Sequence, residues 1–431
     1  MENIRLRGIT MGMINAGVKG ADPLDLISPL VRGHSLVFPE GETYHSEDYK
    51  EVLLFAVGKA SQRMALAFDH WDISDGLIIT DSRAPLQDSK IPIRRCSHPI
   101  PGEDNIAATR EIIDKLEGKH DTLILFLISG GASSLFCLPE EGISINDVAA
   151  LNQQMLLSGA SIKEINTVRK HISQVKGGKF ARLCQGKGEI ITLILSDVVG
   201  DDMSVVGSGP TVEDRTTYGH AKDILERYSI WENVPRSIKE HINRGVIEGR
   251  KDIPLETNGH NHLVGSNMDA IRGAVEYGDK HGMPCLILTC QNQGEAREVA
   301  KVIMGIANEC QDSGKPAETP VALLVGGEMT TKMEKTGCFG GPNREFVLSA
   351  AMEIKDRSNI VVAAVDTDGV DGKGKAGAIA DCETVKRSYL DPYKCLAEHD
   401  TERFFDALGD SIELPVNTNV NDLIVVTVGK K

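Results

Sequence analysis

Aromatic side chains are scarce in this sequence: Phe, Tyr and Trp together make up 4% of 431 residues. Proteins that read nucleic acid stack bases on such rings and present a basic face. Here 62 Asp and Glu outnumber 47 Lys and Arg, giving a formal net charge of −15, so no nucleic-acid partner is expected. An acidic chain can still hold a locally basic pocket for a small anion. Long apolar runs are missing too. The longest, such as 123–128, span six residues, whereas a membrane helix needs about 20. The opening MENIRLRGITMGMINAG lacks the apolar centre of a secretory leader, so a cytoplasmic protein without a membrane partner is expected. The nine cysteines are odd in number and form no CxxC. Reduced thiols fit this pattern, and a structural zinc site does not. The 12 histidines show no HxxxH or HExxH spacing, which leaves a metal hydrolase without support.

What is present is glycine, 43 residues, or one in ten against an average of about 7%. Short, nearly all-apolar runs end in Gly, Asp or Ser, and most are followed by a helical stretch. Strands are expected at 52–57, 77–80, 91–96, 122–128 and 190–195, and again at 263–265, 285–289, 321–325, 360–365 and 423–428. Helical stretches include 103–116, 148–157, 163–173, 268–281, 295–309 and 344–355. Continuous apolar strands alternating with helices imply an α/β fold, a parallel or mixed sheet covered on both faces. Ligands in such folds gather beyond the carboxyl ends of the strands. The stretch 201–261 has three prolines and no strong strand, which places a domain boundary near residue 236, with domains 1–236 and 237–431.

The Gly-rich loops differ in what they can do. Gly58-Lys59 follows the first strong strand and resembles the end of a phosphate-binding P-loop, but Leu53 stands where that motif needs glycine. Lys59 is either an anion ligand or a surface lysine beside a turn. Ser129, Gly130, Gly131, Ala132 and Ser133 follow strand 122–128 without the GxSxG of a nucleophile elbow. Their backbone N–H groups suit an anion nest; a capped tight turn is the plainer reading. Asp197 and Asp201 follow strand 190–195, close to Gly207, Ser208 and Gly209, and carboxylates so placed suit Mg²⁺ or cap a helix. Asp368 belongs to a loop that resembles a calcium site but lacks its ligands at the fifth and twelfth positions. Basic and amide side chains cluster at Asn166, Arg169 and Lys176, either on a solvated face or on a substrate anion. Glu328, Lys332, Asn343 and Arg344 flank a second Gly-rich entry to a helix. Gly372, Gly374 and Gly377 match GxGxxG, but no strand adjoins the match and no acid sits at a following strand.

Taken in order, VGKAS, SGGASSLF, INTVRKHIS with KGGK, LSDVVGDD with GSGPT, GGEMTT, GGPNRE, VDTDGVDG and NTNVND resemble the MOFRL-containing glycerate 2-kinases along nearly the whole chain. The GGPNRE variant is the reason to expect an archaeal-like member. The resemblance implies two α/β domains with the active site in the cleft between them. The N-terminal domain would be Rossmann-like and the smaller C-terminal one would hold a mixed sheet. It also implies transfer of phosphate from ATP to the 2-hydroxyl of D-glycerate with Mg²⁺, and a homodimer. Lys59, Ser129, Gly130, Gly131 and Asp197 match family motif positions. Many relatives read GGRNQE, with an arginine implicated in catalysis; here that place is Pro342, leaving the role to Arg344 or Arg169.

Phosphoryl transfer needs positioning and neutralisation of charge more than covalent help. On that basis Asp197, with Asp201, is expected to hold the metal, Lys59 and Arg344 to bind carboxylate or phosphoryl oxygens, and the Ser129 loop to donate N–H bonds. Asn166, Lys176, Gly207, Ser208, Gly209, Glu328, Asn343 and Asp368 complete the expected binding set, with no general base assigned. The competing readings are an NAD(P)H-dependent hydroxypyruvate reductase and a non-catalytic small-anion binder.

Overall fold

A computed structural model describes residues 2–81, 89–249, 259–331, 340–415 and 418–431. Lys332 and Asn417 of the motifs above lie outside the described residues. The chain divides into two compact units, Leu26–Val264 and Met1–Asp25 with Gly265–Lys431.

The first unit is built on a six-stranded sheet. Its strands are β1 (Glu51–Val57), β2 (Asp75–Asp81), β3 (Ile93–Cys96), β4 (Thr122–Ile128), β5 (Gly188–Leu195) and β6 (Gly259–Gly265). They lie in the order β3-β2-β1-β4-β5-β6, and every pairing from β3 to β5 is parallel. The side chains explain why. In β4 all seven residues are buried, which suits a strand covered by helices on both faces. Phe126 packs against Phe136 and Phe180 with ring centroids 5.5 and 4.5 Å away. The order in which strands are added across the sheet reverses between β1 and β4, the switch point where doubly wound folds take their ligands.

The structure divides the chain later than residue 236. Ile238 and Ile242 of the helix Arg236–Glu248 share a core with Tyr218, Ile224 and Leu225 of the helix Tyr218–Arg227. A cut at 236 would expose that core, and β6 comes later still.

The second unit holds β7 (Cys285–Glu295), β8 (Val321–Thr330), β9 (Ile360–Asp366), β10 (Gly377–Asp381), β11 (Ser411–Ile412) and β12 (Asp422–Val428). Their order is β7-β8-β12-β9-β10-β11. Only β7 and β8 run parallel; the other pairings are antiparallel, so the sheet is mixed. The N-terminal helix Glu2–Gly20 belongs here, where Thr10 Oγ1 meets Thr427 Oγ1 of β12 at 2.8 Å. The short strands β10 and β11, a small sheet of 31–32, 35–37 and 43–45, and the N-terminal helix were not expected from the apolar pattern.

Candidate active site

Parallel pairing sets Val57 beside Ile128 and Ile128 beside Ile194, so the loops after β1, β4 and β5 leave one edge together. Lys59 N–H donates to Gly130 O at 2.8 Å and Ala60 N–H to Ser129 Oγ at 3.0 Å, locking the lysine turn to the serine loop. Gly58 makes this contact possible: a Cβ there would lie 2.2 Å from Ser129 Oγ, and its φ is +133°. Gly131 has φ +84°, and a Cβ on it would lie 3.4 Å from Cγ of Lys59 and 3.1 Å from Nε2 of His98.

Two more loops close on this edge. Ser133 Oγ lies 3.0 Å from Ser208 Oγ, which donates to Oδ1 of Asn166 at 3.0 Å. Gly207, Ser208 and Gly209 all have positive φ, and a Cβ on Gly207 would lie 3.2 Å from that of Ala132. Gly177 N–H and Gly178 N–H donate to Ser208 O and Gly209 O. Separate motifs thus become one layer of backbone amides, hydroxyls and cations.

Lys176 braces the serine loop and lines a small cavity with Ser133 and Arg169. It is buried, and its Nζ donates to Ser133 O at 2.6 Å and Phe136 O at 2.9 Å. Burial pulls its pKa from 10.5 down to about 8. Arg169, half-buried, donates from Nε to Asn152 Oδ1 at 2.8 Å and lines a small cavity of about 20 Å³ with Ser133. Asp197 is half-buried just past β5. Asp201 follows in a turn at φ +55°.

The second unit gathers another set. Asn343 Nδ2 donates to Asp422 Oδ1 at 2.5 Å, and Asn343 N–H to Asp371 Oδ1 at 3.0 Å. Arg344 is wholly buried, with Nε on Asp371 Oδ2 at 3.1 Å and a terminal nitrogen on Asp371 O at 2.6 Å. The guanidinium expected to bind substrate is thus paired with Asp371 inside the second unit. Glu328 is exposed at the end of β8, and Asp368 Oδ1 accepts the N–H of Val370 at 2.9 Å within a turn. Burial pushes the Asp422 carboxyl up to about 8, with the charges of Asp371 and Glu328 adding to the shift.

The GxGxxG glycines serve packing. Gly372–Gly377 link two antiparallel strands, and a Cβ on Gly374 would lie 2.7 Å from an Arg344 nitrogen. A dinucleotide loop instead joins a strand to a helix.

The family described as "Domain of unknown function (DUF4147)" matches residues 10–243, and the MOFRL family matches residues 321–422. The glycerate 2-kinase of Pyrococcus horikoshii is 38% identical, covering 99% of this chain and 98% of that protein. The chain belongs to the MOFRL-containing glycerate kinase family. A crystal structure of glycerate kinase from Thermotoga maritima, 32% identical, superposes with a TM-score of 0.84 over 98% of this chain and 99% of that one. A protein of Agrobacterium vitis named putative hydroxypyruvate reductase is 39% identical over 88% of this chain and 87% of its own.

Within this glycerate kinase fold, sequence reasoning passed over His98, Asp81, Asp371 and Asp422. The first two had a signal: polar residues directly after strands, at the edge where ligands collect. The acids of the second unit lie in the VDTDGVDG and NTNVND motifs, but only tertiary packing shows that they are buried. Among the described residues, no group of three or more His, Cys, Asp or Glu side chains is placed to hold a metal.

Proposed function

We propose that this chain transfers the γ-phosphoryl group of ATP to the 2-hydroxyl of D-glycerate, giving 2-phosphoglycerate and ADP. The observation that carries the reading is the union of Lys59 with the Ser129–Gly131 loop at the switch point between β1 and β4. Backbone amides and a lysine at such an edge are the parts that position and neutralise a transferring phosphoryl group. The names of the full-length relatives supply the acceptor.

Lys59 is assigned to phosphoryl or carboxylate oxygens, and the loop amides to phosphate. The hydroxyl chain Ser133–Ser208–Asn166 orients polar groups of the substrates. Arg169 takes the arginine role, since Arg344 is occupied by Asp371. Mg²⁺ commonly binds through one or two carboxylates plus substrate phosphates, so Asp197 with Asp201 fits it without a full protein cage. When bound, it would neutralise phosphate charge.

No described helix is long and apolar enough to cross a membrane. Among the described residues no cysteine forms a disulfide, as reduced thiols would have it. A homodimer, implied by the resemblance, predicts twice the chain mass by light scattering.

Phosphorus NMR with ATP, Mg²⁺ and D-glycerate tests the reading. Growth of 2-phosphoglycerate with ADP is expected. A 3-phosphoglycerate signal would reject the position of attack. Unchanged ATP would reject the kinase; hydroxypyruvate with NADH would then test a reductase, and ligand retained without turnover would indicate a binder.

A further inference from the structure

Asn166 lines a cavity of about 430 Å³ as well as meeting Ser208. Ligand pockets typically measure about 300–1,000 Å³. The walls come from the 26–264 unit alone: the helix Ile162–His171, the turn at 202–205 that follows β5, and the segment 212–216. Lys163, Asn166, Thr167 and Lys170 follow the i, i+3, i+4, i+7 spacing that gathers side chains on one face of a helix, and all four line the cavity.

Charges in this wall are balanced. Lys163 lies 3.6 Å from Asp202, Arg215 3.2 Å from Glu213, and Lys170 Nζ 3.4 Å from Asp214 Oδ1. Lys163 and Arg215 are exposed, but the third pair is buried, with side chains 7% and 2% exposed. Thr216 fixes its carboxylate: Oγ1 lies 2.9 and 2.8 Å from the two oxygens, and the N–H donates to Oδ1 at 3.2 Å. A carboxylate has about four lone-pair sites and an ammonium three hydrogens. Among the described residues, Asp214 is the one hydrogen-bond acceptor for the Lys170 ammonium. A buried charge is costly unless its hydrogens are matched, and the cavity that Lys170 lines is where further partners can enter.

Resting on the kinase reading above, we propose that this cavity holds the nucleoside of ATP, with Asp214 and Lys170 on the ribose hydroxyls. A carboxylate that accepts from ribose is a recurring device of nucleotide sites. Three cations matched by three carboxylates suit an uncharged ribose and base and offer a polyphosphate no net attraction. A three-carbon acid would leave most of the volume to water. Val205 and Val212 supply an apolar part of the wall for the base. The cavity ends two hydrogen bonds from the serine loop: Asn166 Oδ1 accepts from Ser208 Oγ at 3.0 Å, and that hydroxyl lies 3.0 Å from Ser133 Oγ. A nucleoside held here sends its phosphates toward the Ser129–Gly131 amides. Asn166 Nδ2 donates to Val205 O at 3.4 Å, joining the helix to the turn that completes the cavity.

The test combines steady-state kinetics with calorimetric titration of ADP and Mg²⁺ into wild type, Asp214→Asn and Val212→Phe. Hydrogen bonds to a charged group are worth about tenfold to a hundredfold in affinity. Asp214→Asn is expected to raise the KM for ATP and the Kd for ADP by at least about tenfold, with the KM for glycerate within twofold. Wild type is expected to favour ATP over 2′-deoxy-ATP or 3′-deoxy-ATP by about tenfold, and Asp214→Asn to lose that preference, a readout that a purely structural role would not move. Val212→Phe fills the cavity without touching the buried pair and is expected to weaken ATP and ADP alone; it carries the test if Asp214→Asn is unstable by circular dichroism. Unchanged ATP and ADP constants in the folded variants, or losses shared equally with glycerate, overturn the nucleoside site. Absence of phosphorylated glycerate from wild type overturns the kinase reading; ADP affinity that neither variant alters then removes the nucleoside site too, whereas weakened ADP binding in both supports it.

Discussion

Two residues show how position divides labour among cations of one type. Lys59 holds its backbone in the loop network while its stem lies beside Gly131. Lys176, a few residues beyond the basic helix, is spent on two carbonyls. Charge-assisted hydrogen bonds are worth about 1.5–3 kcal/mol, so Lys59→Ala should lower kcat/KM by roughly tenfold to a hundredfold. Unchanged kinetics would remove Lys59 from the site. The buried acid of the second unit predicts a pH effect. Asp422 titrates near 8 when folded and near its ordinary 3.8 when unfolded. Between these values the folded chain holds a proton that the unfolded chain has lost. Its stabilising contribution is full below about pH 3.8 and is lost as pH rises through about 8. Unfolding midpoints of the wild type should therefore fall more steeply from pH 6 to 9 than those of Asp422→Asn. Parallel curves would contradict the assignment.

Helix packing in the second unit depends on close backbone approach. The helix Glu2–Gly20 crosses the helix Asn267–Lys280 where Gly20 and Gly273 meet. A Cβ on Gly273 would lie 2.5 Å from Ala16 O, a backbone atom with nowhere to go. Overpacking of this kind costs about 1–3 kcal/mol, so Gly273→Ala should lower the unfolding midpoint by roughly 2–4 °C for each kcal/mol. Gly8, on the same helix, has nothing within 4 Å of an added Cβ. Gly8→Ala should instead raise stability, by up to about 1 kcal/mol, through helix propensity. If both variants behaved alike, close packing would not be the cause. The strands were legible because their apolar runs are uninterrupted: 122–128 was expected and Thr122–Ile128 is found. The short strands β10 and β11 were not legible, since β11 has two residues and β10 follows a loop rich in glycine.

At the scale of the whole molecule, the N-terminal segment joins a unit whose remainder begins some 240 residues later. Leu6, Met13 and Ile14 of that helix are fully buried. Deleting residues 2–20 should therefore destabilise the second unit and expose the helix Asn267–Lys280 to limited proteolysis, while the 26–264 unit stays resistant. Equal resistance of both units would refute this grouping. Within 26–264, the candidate site was legible as separate motifs. Strand adjacency explains why they meet: Lys59, Ser129 and Asp197 follow β1, β4 and β5, three neighbouring strands of one sheet.

The sequence by itself determined the α/β class, the extent of the main strands, the acidic balance of charge and the ordered motifs that mark the family. Those properties reside in local apolar runs and in residue types. Tertiary structure alone decided that Arg344 would be buried on Asp371, that Lys176 would brace a loop from below, and that His98 would stand between Asp81 and Gly131. These outcomes depend on contacts between residues far apart in the chain, and the charge or proton affinity of a side chain is set by what surrounds it after folding.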